Sequence, residues 1–194
     1  MPFRIPEGYL LGIYLNGELV FKMSQNKKRS LSLLISKLGS RINLILQENF
    51  GSNLISLCLF GSASRGSLRE GSDIDFLVVL DKAPASYHSR AKQIVPLVDK
   101  ILDTSEYAIL EERNLDLEPS FLLLTTFEVE AHPPILIDLS HEGEILYDKD
   151  DFLKRHLTEV RITLDKLGAV KKQAPGGYYW VLKPDLKKGE VIEI

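Results

Sequence analysis

Apolar residues recur at two different periods along this chain, and the changes of period divide it into elements. Residues 9–22 place apolar runs on both sides of Asn16-Gly17, and that dipeptide suits the positive φ angles of a tight hairpin turn. Residues 28–49 carry Leu31, Leu33, Leu34, Ile35, Leu38, Ile42, Leu44, Ile45 and Leu46, close to helical spacing. Gly39 within them marks a break or a close contact. The continuous run Leu54 to Phe60 predicts a strand, followed by a short helix from Ser62 to about Leu68, a turn at Glu70-Gly71 and a strand over 73–80. Residues 86–113 form a second helical region whose Pro96 predicts a kink or an irregular first turn. Strands are expected at 120–125 and 135–140, with a turn at 127–131 between them. Glu142-Gly143 then turns the chain into Ile145-Leu146-Tyr147. Residues 149–167 read as a helix, Ala174 to Gly177 as a break, and Tyr178 to Leu182 as an extended aromatic tail.

The pattern predicts an α/β (α+β) arrangement: a mixed, twisted β-sheet with helices mainly on one face. It divides into an N-terminal hairpin over 1–25, a core over 26–148, and a C-terminal helix with a tail strand over 149–194.

Composition narrows the partners. With 194 residues and 44% hydrophobic content the chain can bury a sizeable core. Its net charge of −3 gives no broad basic surface for nucleic acid, which points to a small-molecule or protein partner. Cys58, the single cysteine, lies in an apolar run and reads as a buried small hydrophobe. No apolar segment is long enough to span a bilayer, and the first residues lack the layout of a secretory signal, so a cytoplasmic protein with no membrane contact is expected. The aromatic tail makes a homodimer an expectation as well.

The chemistry is concentrated in Gly61-Ser62-Ala63-Ser64-Arg65-Gly66 and Ser72-Asp73-Ile74-Asp75. On a strand, residues two apart share a face, so Asp73 and Asp75 can address one object. Two anions that close repel unless a cation or proton lies between them. A divalent ion with hard oxygen ligands answers this at neutral pH, and Mg²⁺ is the expectation. The Gly-Ser turn, if it opens a helix, offers backbone N–H groups to an anion.

These residues resemble the GS…RG…(S/G)DxD signature of the polymerase-β-like nucleotidyltransferases, above all the small stand-alone minimal nucleotidyltransferases. The likeness covers residues 54–80 and continues more loosely to about Asp148. It implies the polymerase-β-like nucleotidyltransferase fold and transfer of NMP, as AMP from ATP, to a hydroxyl of a protein or small molecule. Gly61 and Ser62 would cradle the phosphates, Arg65 would contact them, and Ser72 would assist or orient a carboxylate. Asp73 and Asp75 would bind two Mg²⁺ ions, with Mn²⁺ able to replace them. The family also places a third carboxylate on a neighbouring strand, and Asp138 in Ile135-Leu136-Ile137-Asp138-Leu139 fits that description as metal ligand or proton acceptor. Some members are antitoxins that attach AMP to a small helical toxin; others modify antibiotics. The competing reading is a binding protein that keeps this fold without turnover.

Plainer readings stand beside the sharp ones. Arg65 could pair with Glu70 on the surface, and Asp138 could be a salt-bridged structural acid. His132 and His141 show no metal-ligand spacing and read as solvated loop residues. Lys171-Lys172 reads as an exposed helix end.

Overall fold

A computed structural model describes residues 9–15, 18–23, 25–69, 71–113, 117–175, 177–187 and 190–192, with side chains from residue 29 onward. Strands β1 (Tyr9–Leu15) and β2 (Glu18–Met23) pair antiparallel as a separate two-stranded sheet, as the alternation predicts. The Asn16-Gly17 turn itself lies outside the described residues.

Helix α1 (Gln25–Phe50) runs unbroken through Gly39. The glycine serves close approach instead: a methyl at that position would come within 2.7 Å of Leu146 Cδ1. A short 3₁₀ turn leads into β3 (Leu54–Phe60), which passes directly into α2 (Gly61–Ser64). That helix is one turn long and stops well short of Leu68. After it come β4 (Asp73–Leu80), α3 (Tyr87–Leu102) and α4 (Ser105–Glu111). Pro96 sits inside α3 as one uninterrupted helix. The break in this region falls instead at Thr104, whose hydroxyl accepts from the Tyr107 N–H and caps α4.

Strand β5 (Glu118–Thr125) starts two residues before the expected run. The segment read as a turn is the short helix α5 (Thr126–Glu130), entered through a reciprocal capping box between Thr125 and Glu128. Next is the main correction. Residues 135–140 do not form a strand; they lie in helix α6 (Ile135–Glu142). Two prolines precede it, and Leu136 and Leu139, three apart, face the core while the polar residues face out. Strand β6 (Glu144–Asp148) and helix α7 (Phe152–Leu167) follow. The Asp148 carboxylate caps α7 by accepting from the N–H groups of Leu153 and Lys154 at 2.9 and 3.0 Å. The tail is a hairpin, β7 (Val170–Ala174) with β8 (Gly177–Val181), so Lys171-Lys172 belongs to a strand and not to a helix end.

The central sheet has the order β5-β4-β3-β6, with β4 and β5 parallel and the other neighbours antiparallel. Alternation along β4 decides what each face carries. Ile74, Phe76, Val78 and Leu80 pack under α1, α3 and α4, whereas Leu77 and Val79 pack under α5, α6 and α7. The helices are therefore divided between both faces rather than gathered mainly on one. Each face of the sheet is apolar, so each needs a cover. No helix among the described residues is long and apolar enough to cross a membrane.

Cys58 is fully buried, and burial first, then the negative charges of Glu144 and Asp148, push its thiol up to about 12. The folded protein should leave this thiol unmodified by a disulfide reagent at pH 8 over hours, while denaturant exposes one equivalent at once.

Candidate active site

One end of the sheet gathers the end of β3 and the starts of β4 and β5. At that end β3 turns sharply through Gly61, whose φ is +71°, so that the chain leaves the sheet as α2. The same glycine admits a neighbour. A Cβ there would collide with Asp75 Oδ2, so the Asp75 carboxylate lies against bare backbone. Only glycine meets both demands. Gly61→Ala should cost about 1–2 kcal/mol from the left-handed backbone alone and should also displace Asp75. A thermal melt and an activity assay on that variant check both effects.

Asp73 and Asp75 occupy alternate positions of β4 on the face covered by α5–α7. Burial raises the Asp75 carboxyl above the ordinary carboxylate range, and the adjacent Asp73 charge raises it further; Arg65 draws it part of the way back. Neither aspartate has a hydrogen-bond or ion-pair partner among the described residues. Paired carboxylates without a bonded cation, one of them partly desolvated, form a donor set of hard oxygens that suits a divalent ion.

Beyond Asp75 the turn is stitched by its own backbone. Gly66 and Ser67 donate to the carbonyls of Ala63 and Ser62 at 3.1 and 2.9 Å, and Gly66 has φ +63°. Ser72 closes the loop into β4, its hydroxyl accepting from the Arg69 N–H at 2.9 Å. Ser62, Arg65, Ser67, Arg69 and Ser72 form one wall of a cleft of about 1040 Å³. The opposite wall is Glu142 from α6 with Lys171 and Tyr178 from the C-terminal hairpin.

These walls are bridged by charge. Arg65 Nη1 donates to Glu142 Oε2 at 2.6 Å, and Lys171 Nζ donates to the other carboxylate oxygen. Burial alone would raise the Glu142 carboxyl, but the two cations more than offset it and hold it below the usual range. The Lys171 ammonium lies 3.4 Å from the centre of the Tyr178 ring. Arg65 thus pairs with Glu142 across the cleft; its alternative partner Glu70 lies outside the described residues.

Asp138 stands apart from the aspartate pair. Its Oδ1 accepts from Trp180 Nε1 at 2.9 Å and lies 4.0 Å from Lys171 Nζ. Among the described residues neither Asp138 nor Glu118 forms with Asp73 and Asp75 a set of three ligand oxygens all within 4.8 Å of one another. The Asp138 carboxylate helps to anchor the C-terminal hairpin on α6. Beside Asp73 the register places a different acid. Glu118 on β5 is the direct parallel partner of Asp73, and Ser120 that of Asp75. Paired positions share a face, so Glu118 rises on the same side as the aspartates. Its cue in the sequence is an acid two positions ahead of the apolar run expected at 120–125. Arg69 is not part of the sequence signature either, and it has no ion-pair partner among the described residues.

Residues 40–145 match the family described as the nucleotidyltransferase domain. A candidate protein adenylyltransferase of Methanocaldococcus jannaschii is 26% identical over 121 residues, covering 62% of this chain and 77% of that protein. Among solved structures, the spectinomycin adenyltransferase of Enterococcus faecialis with ATP and spectinomycin aligns at 17% identity and a TM-score of 0.45, covering 68% of this chain and 66% of the other. A chain of the complex between tri-AMPylated HEPN toxin of Shewanella oneidensis and MNT antitoxin aligns at 17% identity and a TM-score of 0.39, covering 70% and 88%.

Proposed function

The chain belongs to the nucleotidyltransferase domain family and is a nucleotidyltransferase; from that premise we propose that it transfers AMP from ATP to a hydroxyl of a protein. The observation that carries the reading is the pair Asp73 and Asp75 on one face of β4, with the Asp75 carboxylate against the Gly61 backbone and its carboxyl raised by burial and by Asp73.

In the reaction the acceptor oxygen bonds to the α-phosphorus, the bond from that phosphorus to the bridging oxygen breaks, and pyrophosphate leaves. Asp73 and Asp75 are the residues that would hold a divalent ion, Mg²⁺ or Mn²⁺ in its place, which supplies charge neutralisation on the triphosphate and makes the acceptor hydroxyl more acidic. The first backbone N–H groups of α2, which lack a partner within their own helix, and the Ser62 hydroxyl on the cleft wall would donate to phosphate oxygens. Arg69 adds a cation that needs no release. Arg65 adds a second once the triphosphate displaces Glu142. Ser72 holds the loop that delivers Asp73. Glu118, the register partner of Asp73 on β5, and Asp138 are the two carboxylates that would serve to take the acceptor's proton.

Between the two acceptor classes we propose a protein; Arg65 and Arg69 serve the triphosphate whichever acceptor is used. The M. jannaschii relative, described as acting on proteins, supports the same choice. A small helical toxin encoded by a neighbouring gene is the acceptor of first choice.

Purified protein, Mg²⁺ and α-labelled ATP added to a lysate of its own source should label one small protein on a hydroxyl side chain and release pyrophosphate. Label on a small molecule alone would overturn the protein acceptor. ATP retained without pyrophosphate release would overturn turnover.

A further inference from the structure

Away from the cleft, three side chains from two separate parts of the chain meet in a way that nucleotidyl transfer does not use. His132 follows α5, and His156 and Glu159 lie one turn apart on α7. His132 Nε2 is 3.2 Å from His156 Nδ1. Glu159 Oε2 is 3.8 Å from the first nitrogen and 3.7 Å from the second. The structure assigns this His132–His156–Glu159 triad as a binding site for a divalent transition ion of the zinc type. The assignment is independent of the function proposed above.

The spacing is what a tetrahedral ion demands. With metal–nitrogen and metal–oxygen bonds of about 2.0–2.2 Å, two ligand atoms on one tetrahedron lie roughly 3.3–3.6 Å apart. All three observed separations fall near that value. A hydrogen bond between the two rings accounts for one of them, but it does not explain a carboxylate almost equidistant from both nitrogens. Among the described residues Glu159 has no lysine or arginine partner, so its charge is left to the imidazoles.

The backbone is committed to the same arrangement. His132 has φ +46°, a left-handed conformation that a non-glycine residue seldom adopts, and Pro133 follows it, which disfavours that conformation further. The turn is held by the His132 N–H bonding to the Val129 carbonyl at 3.0 Å. On the other side the Phe152 ring packs at 4.8 Å against the His156 ring and fixes its plane. The imidazoles are mostly buried while Glu159 is exposed, leaving one face of the triad open to solvent and to a fourth, water ligand.

Donor chemistry chooses the ion. Two imidazole nitrogens and one carboxylate suit Zn²⁺ and its neighbours in the first row, whereas Mg²⁺ and Ca²⁺ take oxygen. The ion would tie the turn ahead of α6 to α7, and so brace the helix that carries Asp138 and Glu142.

The test uses the metal-free full chain and Zn²⁺ in competition with a coloured chelator. The wild type should retain one equivalent that Asp73→Asn/Asp75→Asn also retains and His132→Gln/His156→Gln loses. At free Zn²⁺ about 100 times Kd, the wild-type melting temperature should rise by roughly 5–10 °C. Glu159→Gln, at an exposed position, should weaken binding at least tenfold while leaving the metal-free melt unchanged. Co²⁺ in place of Zn²⁺ should give the visible bands of a tetrahedral site. Absence of a retained equivalent in the wild type, or its survival in the double histidine variant, would overturn the assignment.

Discussion

Replacing Asp75 with asparagine should lower nucleotidyl transfer by about 100- to 1000-fold, the effect of deleting one preorganised electrostatic partner at a reacting centre, and should raise thermal stability at the same time. The two effects share one cause. Burial and the Asp73 charge raise the Asp75 carboxyl above its ordinary range, so the folded state favours the protonated form. A carboxyl raised on folding contributes stability that is complete below its unfolded value and is lost as pH rises through the raised folded value. At neutral pH the ionised Asp75 is therefore a net cost to the fold. Its partial exposure keeps that cost below about 1 kcal/mol, and relief of it moves the melting temperature upward by at most about 2–4 °C. Added Mg²⁺ should stabilise the wild type and leave Asp75→Asn unmoved. Paired melts at pH 5 and pH 8 check the sign: the advantage of the variant grows with pH. A variant that loses activity and stability together would show Asp75 to be a structural acid.

The second large effect is expected at Glu142. This carboxylate occupies Arg65, so on the proposed function an incoming triphosphate would have to displace it. The pair is neither buried nor free, with side-chain exposures of 35% and 17%, and its worth lies near the upper end of the surface range, about 1 kcal/mol. Glu142→Gln should accordingly tighten nucleotide binding about fivefold at low salt. The gain should shrink above ~0.5 M salt, where exposed charges are screened. Arg65→Met should weaken binding, and in that background Glu142→Gln should bring no gain. Equilibrium titration of the four proteins completes the cycle; equal gains in both backgrounds would show that Glu142 acts through the hairpin and not through Arg65.

How much of this could be read from residue order depends on distance along the chain. Gly61 to Asp75 was legible because the glycine turn and the aspartate pair lie on adjacent strands joined by one short loop, so spacing alone assigns them a common end of the sheet. Residues 135–139 were misread because β-branched residues around Asp138 mimic a strand, while the helical cues, two prolines and the buried pair Leu136 and Leu139, are local and slight. With the helix in place of the strand, Asp138 stands on α6 rather than on a strand beside the aspartate pair, and the acid that shares the strand register with Asp73 is Glu118. The contacts of Glu142 with Lys171, and of His132 with His156, join elements 24 or more residues apart. No periodicity reports such pairings. They follow from α6 and α7 packing on the same face and from the hairpin that folds back beyond them.

The central claim is that Asp73 and Asp75 grip a metal–triphosphate against the Gly61 turn. Calorimetric titration with a non-hydrolysable ATP analogue, with and without Mg²⁺, tests it most directly. The account predicts one site in the wild type whose occupancy depends on Mg²⁺, with affinity falling at least about 100-fold in Asp73→Asn/Asp75→Asn. Equal affinity in that variant, or binding indifferent to Mg²⁺, would contradict it.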